Sequence, residues 1–180
     1  MLDSYPNFQG FLEVSSVDPL GKIVNSVFIK NVITYKATNI LARSLGGDAS
    51  YNPTHIWVGG AAAAPSLPTV SRSDTSLSTA SDPASDPTNV RSELLIASKS
   101  YSSSPTTGAP SGQQNNNVVT FTAIMPAIPT DSSLNTKYFF EAGIITKIGT
   151  ENILFSHQAH TAIQKLQGFQ LVYTWSIRFI

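Results

Sequence analysis

The last stretch of the chain alternates regularly between apolar and polar positions. From residue 169 to residue 180 the sequence reads FQLVYTWSIRFI, so the large apolar side chains share one phase. A period of two maintained over this length predicts a long strand with one buried face. That face comprises Phe169, Leu171, Tyr173, Trp175, Ile177 and Phe179. We expect its aromatic residues to anchor the core.

Shorter segments elsewhere have a β-type composition, and together they predict about eight strands. Two of them, 9–14 and 23–29, flank the turn sequence Asp18-Pro19-Leu20-Gly21 and predict a hairpin. The other candidate strands are 54–58, 93–100, 118–125, 138–145 and 152–158.

One segment breaks the β pattern. Between Ile33 and Leu45 the apolar residues follow helical spacing, and Gly46-Gly47 follows as a C-terminal cap would. We therefore predict one short helix packed over an end or a face of the sheets. The whole pattern predicts an all-β fold, a β-sandwich of jelly-roll or related topology, in a single domain spanning residues 1–180.

Two long segments lack the apolar content of a core. Residues 61–89 are rich in Ser, Pro, Ala, Thr and Asp, and residues 100–117 are polar and of low complexity. Loops of this length in a compact domain are usually functional or are ordered by a neighbour. We expect the first loop to place Leu67, Val70 and Leu77 in apolar grooves of an adjacent chain.

The composition limits the classes of partner. Lys plus Arg and Asp plus Glu both number 11, so the net charge is zero and a basic face for nucleic acid is not expected. Charged residues make up 12% of the chain, about half the usual share of roughly 25%. Such a surface suits a subunit covered by protein partners, and we expect a symmetric homo-oligomer.

Other features of the sequence bear on the compartment. The absence of cysteine excludes disulfides, thiolate metal sites and a Cys nucleophile. The N-terminal sequence lacks the pattern of a secretory signal, and no apolar run approaches the roughly 20 residues of a membrane span. We expect synthesis in the cytoplasm and no membrane association.

The histidines are the first candidates for chemistry. His157 and His160 lie three positions apart in a predicted strand, and His55 begins another, so a zinc site has to be weighed. In an extended strand that spacing places two side chains on opposite faces. We therefore interpret them as ordinary surface or rim histidines and predict no metal site.

The carboxylates and small motifs are equally weak signals. Glu93 and Glu141 could form a glycosidase-like pair, although nothing in the sequence fixes their separation. The aspartates Asp74, Asp82 and Asp86 fit no EF-hand register, and Gly59-Gly60 is not followed by Lys-Ser. The serine-rich loops contain no G-x-S-x-G elbow. We predict no catalytic residue, no cofactor-binding residue and no cofactor.

An ordered series of short motifs covers most of the chain from residue 31 onward. In chain order they are Asn31-Val32-Ile33-Thr34, a helix with Asn39 to Leu45, Thr54-His55-Ile56-Trp57-Val58-Gly59-Gly60, Ala64-Pro65-Ser66, Asp74-Thr75-Ser76-Leu77, Val90-Arg91-Ser92-Glu93, Phe121-Thr122-Ala123, Phe140-Glu141-Ala142-Gly143-Ile144-Ile145 and Asn152-Ile153-Leu154-Phe155-Ser156. The series resembles virion proteins of tailed bacteriophages, among them tail-collar and fibre-attachment proteins. Two departures are Thr34-Tyr35-Lys36-Ala37, where the family often has T-N-A-G, and the shortened glycine motif at Val58-Gly59-Gly60-Ala61.

The resemblance implies a non-enzymatic β-sandwich built for assembly, with other virion proteins as partners and no catalytic residues to transfer. It favours the tail, neck or fibre-attachment side of the particle. A capsid-decorating cement protein is the close alternative, and a glycan-binding module of a receptor-binding apparatus is a further one. A glycan module should have a surface cleft with solvent-facing aromatics beside Glu93 or Glu141.

Overall fold

The computed structural model describes residues 8–63, 66–78, 89–102, 118–127 and 136–179. These ranges contain a short 3-10 helix at Ala49–Tyr51, an α-helix and eight strands. The helix α1 spans Lys36–Leu45, and the strands are β1 (Phe8–Val17), β2 (Ile23–Ile33), β3 (His55–Ala61), β4 (Asn89–Ser102), β5 (Val118–Met125), β6 (Tyr138–Ile148), β7 (Glu151–Gln164) and β8 (Gln170–Phe179).

The strands form a closed antiparallel barrel in the order β1-β2-β7-β6-β3-β4-β5-β8. The predicted all-β class is confirmed, but the described strands do not form the two separate sheets of the expected sandwich. The reason lies in the long strand β4, which pairs with β3 through residues 89–95 and with β5 through residues 96–102. A strand shared in this way continues the backbone hydrogen bonding from β3 to β5, and it joins the two halves of the barrel wall.

The seam between β2 and β7 is the narrowest part of the closure. Only Val32 and Ile33 of β2 pair with β7. Immediately beyond the seam, the Thr34 hydroxyl donates to the carbonyls of Leu154 at 2.7 Å and Phe155 at 3.1 Å. The backbone ladder between β2 and β7 is very short. The side-chain hydrogen bonds of Thr34 therefore lengthen this closure.

The predicted alternation of the last strand is confirmed by the barrel interior. The positions between the core residues of β8 are partly exposed. The buried core residues are Leu171, Tyr173, Trp175 and Ile177. Beside Trp175, the Asn31 amide accepts a hydrogen bond from the indole Nε1 and donates to the Gly10 carbonyl at 3.2 Å. A side chain at Gly10 would collide with this amide, so glycine is required there.

The predicted helix and hairpin are also confirmed. Helix α1 covers one end of the barrel with Ala37 and Ile40 buried, and Gly46 donates its N–H to the Ala42 carbonyl at the helix end. The hairpin turn is held by Asp18, whose carboxylate accepts from two backbone N–H groups at 2.9 and 2.8 Å. Gly21 has φ +82° there, a conformation that glycine adopts without strain.

Two glycines of the barrel wall, Gly60 on β3 and Gly143 on β6, lie where neighbouring groups approach closely. Gly59 and Gly60 lie within β3 rather than in a turn after it, and a Cβ at Gly60 would lie 2.6 Å from the Tyr138 carbonyl. At Gly143 a Cβ would lie 2.6 Å from Leu154 and 2.9 Å from Leu77. Close approach of neighbouring groups therefore explains both positions.

Residues 66–78 form a segment that we call the strap, because it lies across the outer surface of the barrel wall. Its Leu77 is buried against Trp57, Ile145 and Leu154. The expectation that Leu77 seats in an adjacent chain is therefore wrong, since its own barrel supplies the apolar contact. Most of the rest of the predicted loop 61–89 lies outside the described residues. The same is true of residues 103–117 in the predicted loop 100–117.

Candidate functional site

The outer wall of β3, β6 and β7 carries a compact polar cluster beneath the strap. On β6 the alternation directs Ile144 into the core and Gly143 outward, and His157 is the register partner of Gly143. Glu141 therefore projects outward on the same side, opposite Ala159. The strap closes over these groups, so Glu141 and His157 are both fully buried.

The cluster is a histidine held between two carboxylates. The Nδ1 of His157 lies 2.7 Å from Asp74 Oδ2 on the strap, and its Nε2 lies 2.6 Å from Glu141 Oε1. The backbone N–H of Ser78 also donates to Glu141 Oε1 at 2.7 Å, and that of Ser71 to Asp74 Oδ2 at 2.8 Å. We call this set of contacts the clasp, because it fastens the strap to the barrel wall. Glu141 contacts both the ring and the strap backbone, and Asp74 links the strap to the ring.

The clasp favours a charged imidazole. Burial opposes protonation of His157, but the hydrogen bonds and negative charges of Glu141 and Asp74 outweigh it, and the pKa of the ring is raised above its ordinary value of 6.5. Ionised carboxylates can only accept, so two N–H donors on one ring satisfy both. An imidazolium between two carboxylates is thus the state that this geometry stabilises.

The same geometry limits what the clasp can do chemically. Both ring nitrogens of His157 already face carboxylates, and the ring has no solvent-exposed surface. A general base must reach a proton on its substrate, and this ring has no nitrogen left to do so. The arrangement can instead fasten the strap to the wall and respond to pH.

His160 occupies the opposite surface of the same wall. It faces the interior, where its ring centroid lies 6.1 Å from that of Tyr173. Its Nδ1 donates to the Thr161 carbonyl at 2.9 Å, while Nε2 and the Tyr173 hydroxyl have no hydrogen-bond partner among the described residues. Burial lowers the pKa of His160 to about 4 and raises that of Tyr173, so both side chains are neutral.

The interpretation of His157 and His160 as surface or rim residues is therefore wrong, although their placement on opposite faces is confirmed. The contacts that bury them join residues far apart in the sequence. The one local signal is the position of Glu141 inside the apolar run of β6, because a buried titratable group requires partners.

The remaining candidates do not join this cluster. Glu93 pairs with Lys147 at 2.5 Å, with both side chains partly exposed. His55 is partly buried, and burial followed by the charge of Lys147 lowers its pKa despite the opposing effect of Glu93. Asp82 and Asp86, which fit no EF-hand register, lie outside the described residues.

A second feature is a pocket at the end of the barrel that α1 covers. It encloses about 280 Å³ and is lined mainly by apolar side chains, among them Phe121 and Phe179. Tyr101 and Lys99 line it from β4, and Asn52 adds a polar group. Barrel mouths of this kind commonly hold small ligands. This pocket does not include Glu93 or Glu141, where the glycan alternative placed a cleft.

Neither the remaining side-chain arrangement nor the comparisons with known proteins assign a function. Within the described ranges, no group of three or more His, Asp or Glu side chains is arranged to hold a metal ion. No helix in that part of the chain is long and apolar enough to cross a membrane. The chain matches no protein-family model, no curated protein and no solved structure.

Proposed function

We propose that this protein is a non-enzymatic structural subunit of a tailed-phage virion that acts through protein–protein contacts, on the tail, neck or fibre-attachment side. The observation that carries the proposal is the meeting of two motifs of the virion-type series. Asp74 and Leu77 of D-x-x-L contact the wall at Glu141 and Gly143 of E-A-G, Asp74 through His157 and Leu77 directly.

This meeting explains the motifs without a substrate. The acid of the first motif and the acid of the second hold one imidazole, while the leucine of the first packs over the glycine of the second. The asparagine and threonine of the first motif in the series, Asn31 and Thr34, fix Trp175 and the β2–β7 seam. Residues that build a rigid wall are what an assembly subunit needs, so they support the proposal.

The test is to locate the protein in purified particles. The β6–β7 turn offers a site for an epitope tag, because Gly149 has φ +58° and open space around it. Gold-labelled antibody should mark the tail, neck or fibre-attachment region of tagged particles and leave untagged particles unlabelled. Labelling spread over the head would favour a cement protein instead. Absence of the protein from infectious particles would contradict both.

A second candidate function, glycan binding, is favoured by the exposed ring of Tyr101 at the mouth pocket, which is 68% exposed. An aromatic face beside the polar groups of Lys99 and Asn52 is suited to a sugar ring. Tyr101→Ala should then abolish binding on an array of host-surface glycans. Tyr35→Ala, at a position of 64% exposure outside the pocket, is the matched control.

A further inference from the structure

One edge of β2 is left open. Residues Ile23–Asn31 pair along one side with β1, but on the other side the described residues provide no ladder partner until Val32. Such an edge presents a row of backbone donors and acceptors in extended conformation. Proteins usually protect long exposed edges with charges, prolines or bulges, because the open edge is a template for another strand.

This edge has little of that protection and is unusually apolar. Ile23, Val24 and Phe28 are all exposed, and Phe28 stacks on Phe11 of β1 with ring centroids 5.5 Å apart. At residues 23–26 both faces of the strand are exposed. Lys30 is the only charged residue between Ile23 and Asn31.

We propose that Ile23–Asn31 pairs antiparallel with the same segment of a second copy of this chain, forming a two-fold dimer with a sheet continuous across it. The inference rests on the proposed function as an assembly subunit and names one of its partners. A two-fold contact uses the same patch on both subunits, so one open edge suffices for both copies.

The register follows from pairing the whole open segment. Val27 then lies opposite Val27 of the second copy, and Phe28 lies opposite Ser26. The two Phe28 side chains become diagonal neighbours, at a separation that aromatic side chains can span. They would extend the Phe11–Phe28 stack across the dimer axis.

The charges of the segment are compatible with self-pairing. In this register Lys30 lies opposite Val24, which places the two Lys30 residues at opposite ends of the paired segment. At about 3.4 Å per residue they are roughly 20 Å apart, well beyond the Debye length in physiological salt. Like charges directly opposite one another would destabilise the pair, and this register contains none.

A pair of matched variants tests the edge. Phe28 and Leu95 are 68% and 69% exposed, and Leu95 lies on β4, away from the open edge. We expect the purified protein to be a dimer by sedimentation, Phe28→Lys to be monomeric and Leu95→Lys to remain a dimer. A monomeric parent protein, or dissociation of both variants or of neither, would overturn the proposal.

The register has its own test, because the chain contains no cysteine. Directly opposed residues of an antiparallel pair have Cα atoms about 4.5–5.5 Å apart, within the reach of a disulfide. Val27→Cys should therefore form a covalent dimer on mild oxidation. Leu20→Cys, in the exposed hairpin turn, should not. Equal cross-linking of the two, or cross-linking of Leu20→Cys alone, would contradict the register.

The two proposals fail in different ways. A protein found in particles but monomeric when purified, with no Val27→Cys dimer, would retain the virion role and lose the self-pairing. A dimer that cross-links as expected but is absent from particles would lose the virion role alone.

Discussion

The two surfaces of β7 give the same residue type different charge states. His157 on the outer side and His160 on the inner side are both fully buried. The pKa of His157 is nevertheless raised, because the favourable effects of Glu141 and Asp74 exceed the cost of burial. The pKa of His160 falls to about 4, because burial acts there with little compensation.

Partners, rather than burial alone, therefore decide the charge of a histidine in this wall. The inner surface is an apolar core in which a neutral ring packs beside Tyr173. The outer surface is a polar junction that joins the wall to the strap through a bridging ring. We therefore expect inner-surface changes to affect the whole barrel and outer-surface changes to affect mainly the strap.

The largest effect should come from breaking the inner surface at Trp175. Trp175→Ala leaves a cavity in the core and removes the partner of the Asn31 amide, so the free energy of unfolding should fall by about 4 kcal/mol. Chemical denaturation measures this change. Leu95→Ala, at an exposed position, should cost less than about 1 kcal/mol. A comparably small loss for Trp175→Ala would indicate that Trp175 lies on the outer surface, so that β8 faces the other way.

The charge state of the inner surface should appear as acid sensitivity. The folded pKa of His160, about 4, lies below its ordinary value of 6.5. The unfolded chain therefore binds a proton that the folded chain does not, and stability is lost as pH falls from about 6.5 toward about 4. The expected loss is on the order of 3 kcal/mol.

The variant that isolates this effect is His160→Leu, which removes the titrating ring. Denaturation curves over that pH range should show a shallower loss of stability than in the parent protein. His157→Gln should keep the steep acid loss, since the pKa of that ring is shifted in the opposite direction and its contribution is lost at high pH instead. If His160→Leu leaves the acid slope unchanged, the ring is not neutral in the folded barrel.

Breaking the outer surface should have a smaller and more local effect. Glu141→Ala removes one partner of His157 and the acceptor of the Ser78 N–H, while Asp74 still faces the ring. We expect a loss of about 2 kcal/mol, the range for leaving buried polar groups unsatisfied. Hydrogen exchange of the strap amides should accelerate more than exchange in β8. Glu93→Ala, which breaks a partly exposed ion pair, should cost less than about 1 kcal/mol.

The difference between the two surfaces also explains what the sequence could predict. The inner surface follows from a period of two, so β8, the hairpin and the helix were all predictable from residue type and spacing. Eight of the described segments are strands, as expected. The closure into a barrel was not predictable, because it depends on β4 pairing with a different neighbour along each half.

The clasp could not be derived from spacing. Asp74, Glu141 and His157 come from a strap and two strands, and their contacts depend on the register between β6 and β7. A single acid inside the apolar strand around Phe139 and Phe140 is the only local indication of a buried network.

The charged imidazole of the outer surface should make the strap sensitive to alkaline pH. The imidazole of His157 is faced by Asp74 from the strap and by Glu141 from β6. Since its folded pKa is raised above 6.5, the folded state binds a proton that the unfolded state releases. The stabilisation is fully present below about pH 6.5 and is lost as pH rises through the folded pKa. The protection factors of the strap amides, which correct for base-catalysed exchange, should therefore fall as pH becomes alkaline, and His157→Gln should remove that fall. The signals of the three histidines can be assigned by single substitutions and followed by NMR as pH rises. His160 should lose its proton first and His157 last. A His157 that titrates at or below 6.5 would show that its two carboxylates do not hold a charged ring.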